Sequence, residues 1–133
     1  MTRLSELPVV ERLIALHMDK RIVKSTWDDF KSIPANDRIE YSQGIWGTKM
    51  PLYTHEICAF IIDIEELGTT GQILHDCKKI ATVLSGGFQD EVSGVIVHEG
   101  KSLTWYANTP HTITGVQLHT KVFVQMFNPN IRE

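Results

Sequence analysis

The sequence predicts a single, mainly β domain, a barrel or sandwich led in by one helix, and three observations carry that reading. From Arg38 onward, short segments rich in β-branched and aromatic residues alternate with glycine or proline punctuation. No linker, repeat or low-complexity tract breaks this pattern, and no helical period returns between the strands as parallel βαβ units require. The chain has 133 residues and 42% hydrophobic content, enough for one core without help from a disulfide or structural metal.

The elements follow in order. A helix is predicted over residues 5–18: Ser5 caps it, Glu6 lies in its first turn, and Pro8 is tolerated near a helix start. Val9, Leu13 and Leu16, with Val10, Ile14 and His17, recur at helical spacing, opposite a polar face at Glu11, Arg12 and Asp19. A short helical turn is expected at 25–30, capped by Ser25 or Thr26, and Pro34 ends that run. Strands are expected at about 38–46, 52–64, 71–75, 78–84, 88–91, 95–98, 102–106, 112–117 and 120–127. Their breaks fall at Gly47, Gly68, Gly86-Gly87, Ser93-Gly94, Glu99-Gly100, Asn108-Thr109-Pro110 and Gly115. Residues 1–37 are thus a helix and lead-in, and residues 38–133 the barrel.

Charge and composition exclude several classes of function. The net charge is −3, and no basic stripe is present that could neutralise a run of phosphates, so nucleic acid is not an expected partner. The longest apolar stretch runs from Ile57 to Ile64 and contains Asp63, whereas a membrane helix needs roughly 20 apolar residues. Residues 1–6 lack the apolar region of a signal peptide, and the two cysteines, Cys58 and Cys77, sit inside apolar runs as buried thiols do. A cytoplasmic protein is expected. The runs 57–62 and 122–124 are apolar on both faces, which predicts a homodimer with sheet-on-sheet packing.

The chemistry-bearing residues lie between Gly71 and Gly115. Gly86 closes the apolar strand Ala81-Thr82-Val83-Leu84-Ser85; further on, Gly100 opens a turn that leads through Pro110 to His111. This order resembles the two motifs of the cupin family, the RmlC-like double-stranded β-helix. In that family the first motif carries two histidines one residue apart, then a glutamate, and the second carries a further histidine. Counting back from Gly86 puts Lys79 at the glutamate position, His75 at the second histidine and Ile73 at the first, while His111 takes the histidine of the second motif. The resemblance implies a cupin-type barrel with degenerate metal motifs.

Alternate residues of one strand point to one face, so Ile73, His75, Cys77 and Lys79 are expected to face the barrel interior together. His75 and His111 then offer two ligands for a divalent metal ion, with Cys77 as a third; the other reading is two pocket histidines and no cofactor. His75 beside Lys79 is also an acid–base pair suited to catalysis. Tyr53, His55 and Trp105 are further candidates for the pocket lining, His55 having a rim position paired with Glu56 as its alternative. Asp90-Glu91 reads as a solvated edge. Three functions remain open, in this order. The first is a small-molecule-binding protein whose pocket selects an anionic or oxygen-rich ligand through Lys79, His75 and His111. The second is a cupin enzyme, either metal-dependent or a metal-free isomerase or epimerase with a pocket histidine as base. The third is an interaction protein that uses the barrel as a scaffold. No phosphate loop and no serine-nucleophile elbow is present.

Overall fold

Two facing layers of strand hold the core between them. The computed structural model describes residues 22–31, 38–42, 44–50 and 54–130, so the helix predicted at 5–18, and Tyr53, lie outside the described residues. In chain order the elements are β1 (Ile22–Ser25), α1 (Trp27–Lys31), β2 (Arg38–Ser42), β3 (Ile45–Lys49), β4 (Ile57–Glu65) and β5 (Gln72–His75). They continue with β6 (Lys78–Ser85), β7 (Gly87–Gln89), β8 (Ile96–His98), β9 (Ser102–Trp105), β10 (Thr114–Gly115) and β11 (His119–Phe127).

The larger layer is a six-stranded sheet in the order β2-β3-β4-β11-β6-β9. The facing layer is built from the pair β1-β5 and the three-stranded sheet β10-β7-β8. Isolated bridges Thr69–Thr114 and Ile73–His111 stitch these two pieces together. Backbone hydrogen bonds reinforce the seam, from Ile73 N to His111 O at 2.9 Å and from His111 N back to Ile73 O at 3.0 Å. Burial alternates along the strands as the pleat requires: Cys58, Phe60, Ile62 and Ile64 on β4 lie beside Val122, Val124 and Met126 of the neighbouring β11, all turned to the interior.

Several expected details differ; Gly115, expected as a break, lies in β10 paired with Phe88. The break expected at Gly47 is three residues earlier, at Gly44, which has a φ of +80°. A Cβ there would stand 2.7 Å from the Cα of Gly68, so only glycine lets these two loops pass. Gly47 instead lies inside β3, paired with Ile39 and Ile62. The strand expected from residue 52 begins at Ile57; residues 54–56 form a bend in which Thr54 Oγ1 accepts from the amides of Glu56 and Ile57. The sequence reading also lacked β1, whose parallel pairing with β5 depends on a partner some fifty positions away.

The short helix is fastened at both ends. Asp29 Oδ2 accepts from the Thr26 amide at 2.8 Å, the return half of a capping box. Asp76 Oδ1 accepts from the Trp27 amide at 2.8 Å, tying the helix start to the corner between β5 and β6. At the other end the buried Lys49 ammonium donates to the Lys31 carbonyl at 3.0 Å. This double attachment sets Phe30 over the open end of the sandwich.

Candidate functional site

The chain changes layers between His75 and Lys79, and that crossing builds the site. His75 ends β5 in the facing layer, Lys79 lies at the start of β6 in the larger sheet, and His111 pairs beside β5. Despite the corner at Asp76-Cys77, burial keeps its period of two: Ile73, His75, Cys77, Lys79, Ala81 and Val83 are all inward. Lys79 Nζ stands 3.4 Å from His75 Nε2 and 3.3 Å from His111 Nε2. All three side chains are buried, Lys79 with 6% of its surface exposed.

Hydrogen bonding fixes the tautomers. His111 Nδ1 lies 2.8 Å from the Thr109 carbonyl, which can only accept, so Nδ1 carries the proton and Nε2 presents a lone pair to Lys79. His75 Nδ1 is buried with no hydrogen-bond partner. A charged Lys79 would force His75 Nε2 to accept and leave an Nδ1–H stranded in the interior. A neutral Lys79 amine can accept from His75 Nε2–H while donating to His111, and strands only a bare lone pair.

Electrostatics agree with that arrangement. Burial above all, then the neighbouring Lys79, pushes His75 down to about 2; the same two causes push His111 down to about 3 against the opposing pull of Thr109 and Asp90. Burial pushes Lys79 down to about 7, only partly offset by Cys77 and Asp90. No carboxylate pairs with its amine among the described residues. Asp90 is spoken for: its carboxylate accepts from Trp105 Nε1 at 3.0 Å, from the Thr112 amide at 2.9 Å and from Ser93 Oγ at 2.9 Å. Asp90 is only 2% exposed, so the solvated edge expected there is corrected; its turn with Ser93 and the distant Trp105 and Thr112 draw it inside.

Lys79 and His75 form one end of a cavity of about 190 Å³ whose other walls are almost wholly apolar, including Phe30, Phe60, Ile73 and Met126. Phe30 meets the His75 ring edge-on at 5.0 Å. His111 does not line this cavity; it stands one layer back, stacked on Trp105 with ring centres 4.3 Å apart. Trp105 in turn presents its face to Lys79 Nζ at 5.4 Å. His55 is outside the site altogether, on the exposed bend 54–56 with Nε2 3.8 Å from Glu56 Oε1, because β4 begins after it. Sequence reasoning missed Phe30 and Ser25 as lining residues; the spacing of Trp27 and Phe30 on one helical face was the available signal.

The donor set does not fit a divalent cation. Such an ion takes three or four ligands from imidazole, thiolate or carboxylate. Among the described residues no group of three or more histidine, cysteine, aspartate or glutamate side chains stands together in that way, so Cys77 does not complete the pair His75 and His111. Burial, with Asp76 next, pushes the Cys77 thiol up to about 12, far from a thiolate. The Lys79 nitrogen occupies the point toward which both Nε2 atoms are turned.

No protein-family profile matches the chain, and no curated protein does. Solved structures do match. KdgF from Halomonas sp. superposes with a TM-score of 0.63 at 16% identity, over 68% of this chain and 86% of that one. An RmlC-like cupin from Shewanella frigidimarina NCIMB 400 gives 0.62 at 15% identity, over 71% and 86%. The chain has a cupin fold. A third matching structure is a Cupin_2 domain of an XRE family transcriptional regulator from Enterobacter cloacae, with a TM-score of 0.58 at 10% identity, over 66% of this chain and 100% of that domain. At such identities the likeness speaks for the fold, and one fold hosts many functions.

Proposed function

We propose that the protein binds a small molecule in the sandwich cavity, taking a compact apolar body between Phe30, Phe60, Ile73 and Met126 and an anionic or oxygen-rich head at Lys79 and His75. One observation carries this reading: a buried lysine, with no carboxylate partner among the described residues, lines an otherwise largely apolar cavity. An amine in that setting gains most from a ligand that brings the missing negative charge, because desolvation magnifies the pairing. The volume of about 190 Å³ suits a ligand of few heavy atoms, below the range of roughly 300–1,000 Å³ that holds drug-sized molecules.

Titration calorimetry with short aliphatic carboxylates, set against the matched alcohols and amines, tests the proposal. The carboxylates bind and the amines do not. Lys79→Met weakens that binding by about 2 kcal/mol, the scale of a lost charge-assisted hydrogen bond. Equal affinity for alcohols and carboxylates, unchanged by Lys79→Met, overturns it.

A further inference from the structure

We propose that Lys79 is a covalent attachment point for small carbonyl compounds, forming an imine with an aliphatic aldehyde or ketone held in the cavity. This goes beyond noncovalent binding of an oxygen-rich head and needs only that the same cavity admit a ligand.

Geometry carries the argument. The Lys79 amine lines the cavity, where a carbonyl carbon with an alkyl body would be delivered by the apolar walls. Among the described residues no carboxylate holds it as an ammonium ion, and its nitrogen lies against the two imidazoles. The hydrogen-bond accounting at His75 and His111 is satisfied best by a neutral amine, because His75 Nδ1 is buried with no partner that could accept a proton from it. The lowered value of about 7 agrees with that geometry. Amines become nucleophiles in this way when they are desolvated in apolar pockets.

The step balances without an oxidant or reductant. The Nζ lone pair adds to the carbonyl carbon, forming a C–N bond, while the π electrons of the C=O bond move to oxygen. One N–H proton passes to that oxygen. The second N–H proton leaves with the hydroxyl as water, and the C=N bond forms. His111 is a positioning residue here, holding Nζ from behind the cavity at 3.3 Å.

Butanal is the probe, offered at one equivalent to the intact protein at mildly acidic pH with sodium cyanoborohydride to fix any imine as a secondary amine. Peptide mapping by mass spectrometry then locates the butyl group. Lys79 should be labelled at least about tenfold faster than Lys78, its half-buried neighbour, or the exposed Lys121, since desolvation in an apolar cavity makes an amine nucleophilic. The Lys79 labelling rate should level off as the pH is raised past about 7. Label spread over exposed lysines with Lys79 unmodified overturns the proposal. Butanoate binding by calorimetry separates the two readings: binding with an inert Lys79 leaves the noncovalent site standing and removes the imine, and failure of both removes both.

Discussion

At Lys79 the folded protein forgoes the hydration of an ammonium ion and, among the described residues, supplies no carboxylate in return. Its value of about 7 lies below the roughly 10.4 of a free lysine, so between those limits the unfolded chain holds the extra proton. Stability therefore rises with pH across that window, and the burden is fully present below pH 7. Lys79→Met removes the burden. Its thermal midpoint should exceed that of the parent most at pH 6, with the advantage shrinking toward pH 10; an advantage independent of pH would mean that the folded amine is not perturbed. The imidazoles act in a lower window. Folded values of about 2 for His75 and about 3 for His111 lie below the free value near 6.5, so their contribution is complete above pH 6.5 and is lost as pH falls toward 3. Urea midpoints measured from pH 7 to 4 should fall steeply in the parent and less steeply in His75→Leu, whatever the packing cost of that change at neutral pH. Parallel slopes would sink this reading.

Among the elements, the turn after β7 does the least expected work. Asp90 gathers donors from three separate segments, namely Trp105 at the end of β9, Thr112 before β10, and Ser93 and Val92 in its own turn. It thereby sets the Trp105 ring against His111, which holds Lys79. Asp90→Ala would leave the Trp105 Nε1–H and the Thr112 amide without acceptors, at about 1–3 kcal/mol for each buried donor. A urea-derived loss of about 2 kcal/mol or more is expected, and a loss below roughly 0.5 kcal/mol would show that water satisfies both groups. The same turn shows where sequence reasoning runs out. The inward register of His75, Cys77 and Lys79 was legible because the pleat has a fixed period that survives the corner at Asp76-Cys77. The place of His111 was legible from its position after the Asn108-Thr109-Pro110 turn. The burial of Asp90 was not, because its partners lie 15 and 22 positions along the chain. Phe30 escaped notice for the same reason: α1 is aimed by Asp76 and Lys49, contacts no local pattern announces. Gly44 and Gly47 could not be ranked as turn sites until the approach to Gly68 was known.

The molecule as a whole has one surface that its own described residues leave partly uncovered. On the six-stranded sheet, the face turned away from the core carries Ile57 and Ile61 of β4, Phe123 and Phe127 of β11, and Ile80 of β6, all half-buried. Registration makes these neighbours: Phe123 pairs with Ile61, Phe127 with Ile57, and Gln125 brings Ile80 alongside. An antiparallel sheet with one wet face usually alternates apolar with polar, and here the outward positions break that alternation toward the apolar. We expect a second copy of the chain on this face, since a self-complementary sheet surface is what a two-fold dimer needs. A stable pair should bury at least roughly 1,000 Å² in total. Sedimentation velocity should show a dimer at micromolar concentration, and Phe123→Glu should shift it to monomer without loss of the β-type circular dichroism spectrum, because Phe123 points away from the core. A parent protein that is monomeric across the micromolar range would defeat this expectation. The helix predicted at residues 5–18 would then be the cover to test, by asking whether its removal exposes the sheet to a hydrophobic dye. The cavity at Lys79 opens between the layers, on the other side of the sheet from this face, so the dimer and monomer forms should bind the same carboxylates with equal affinity.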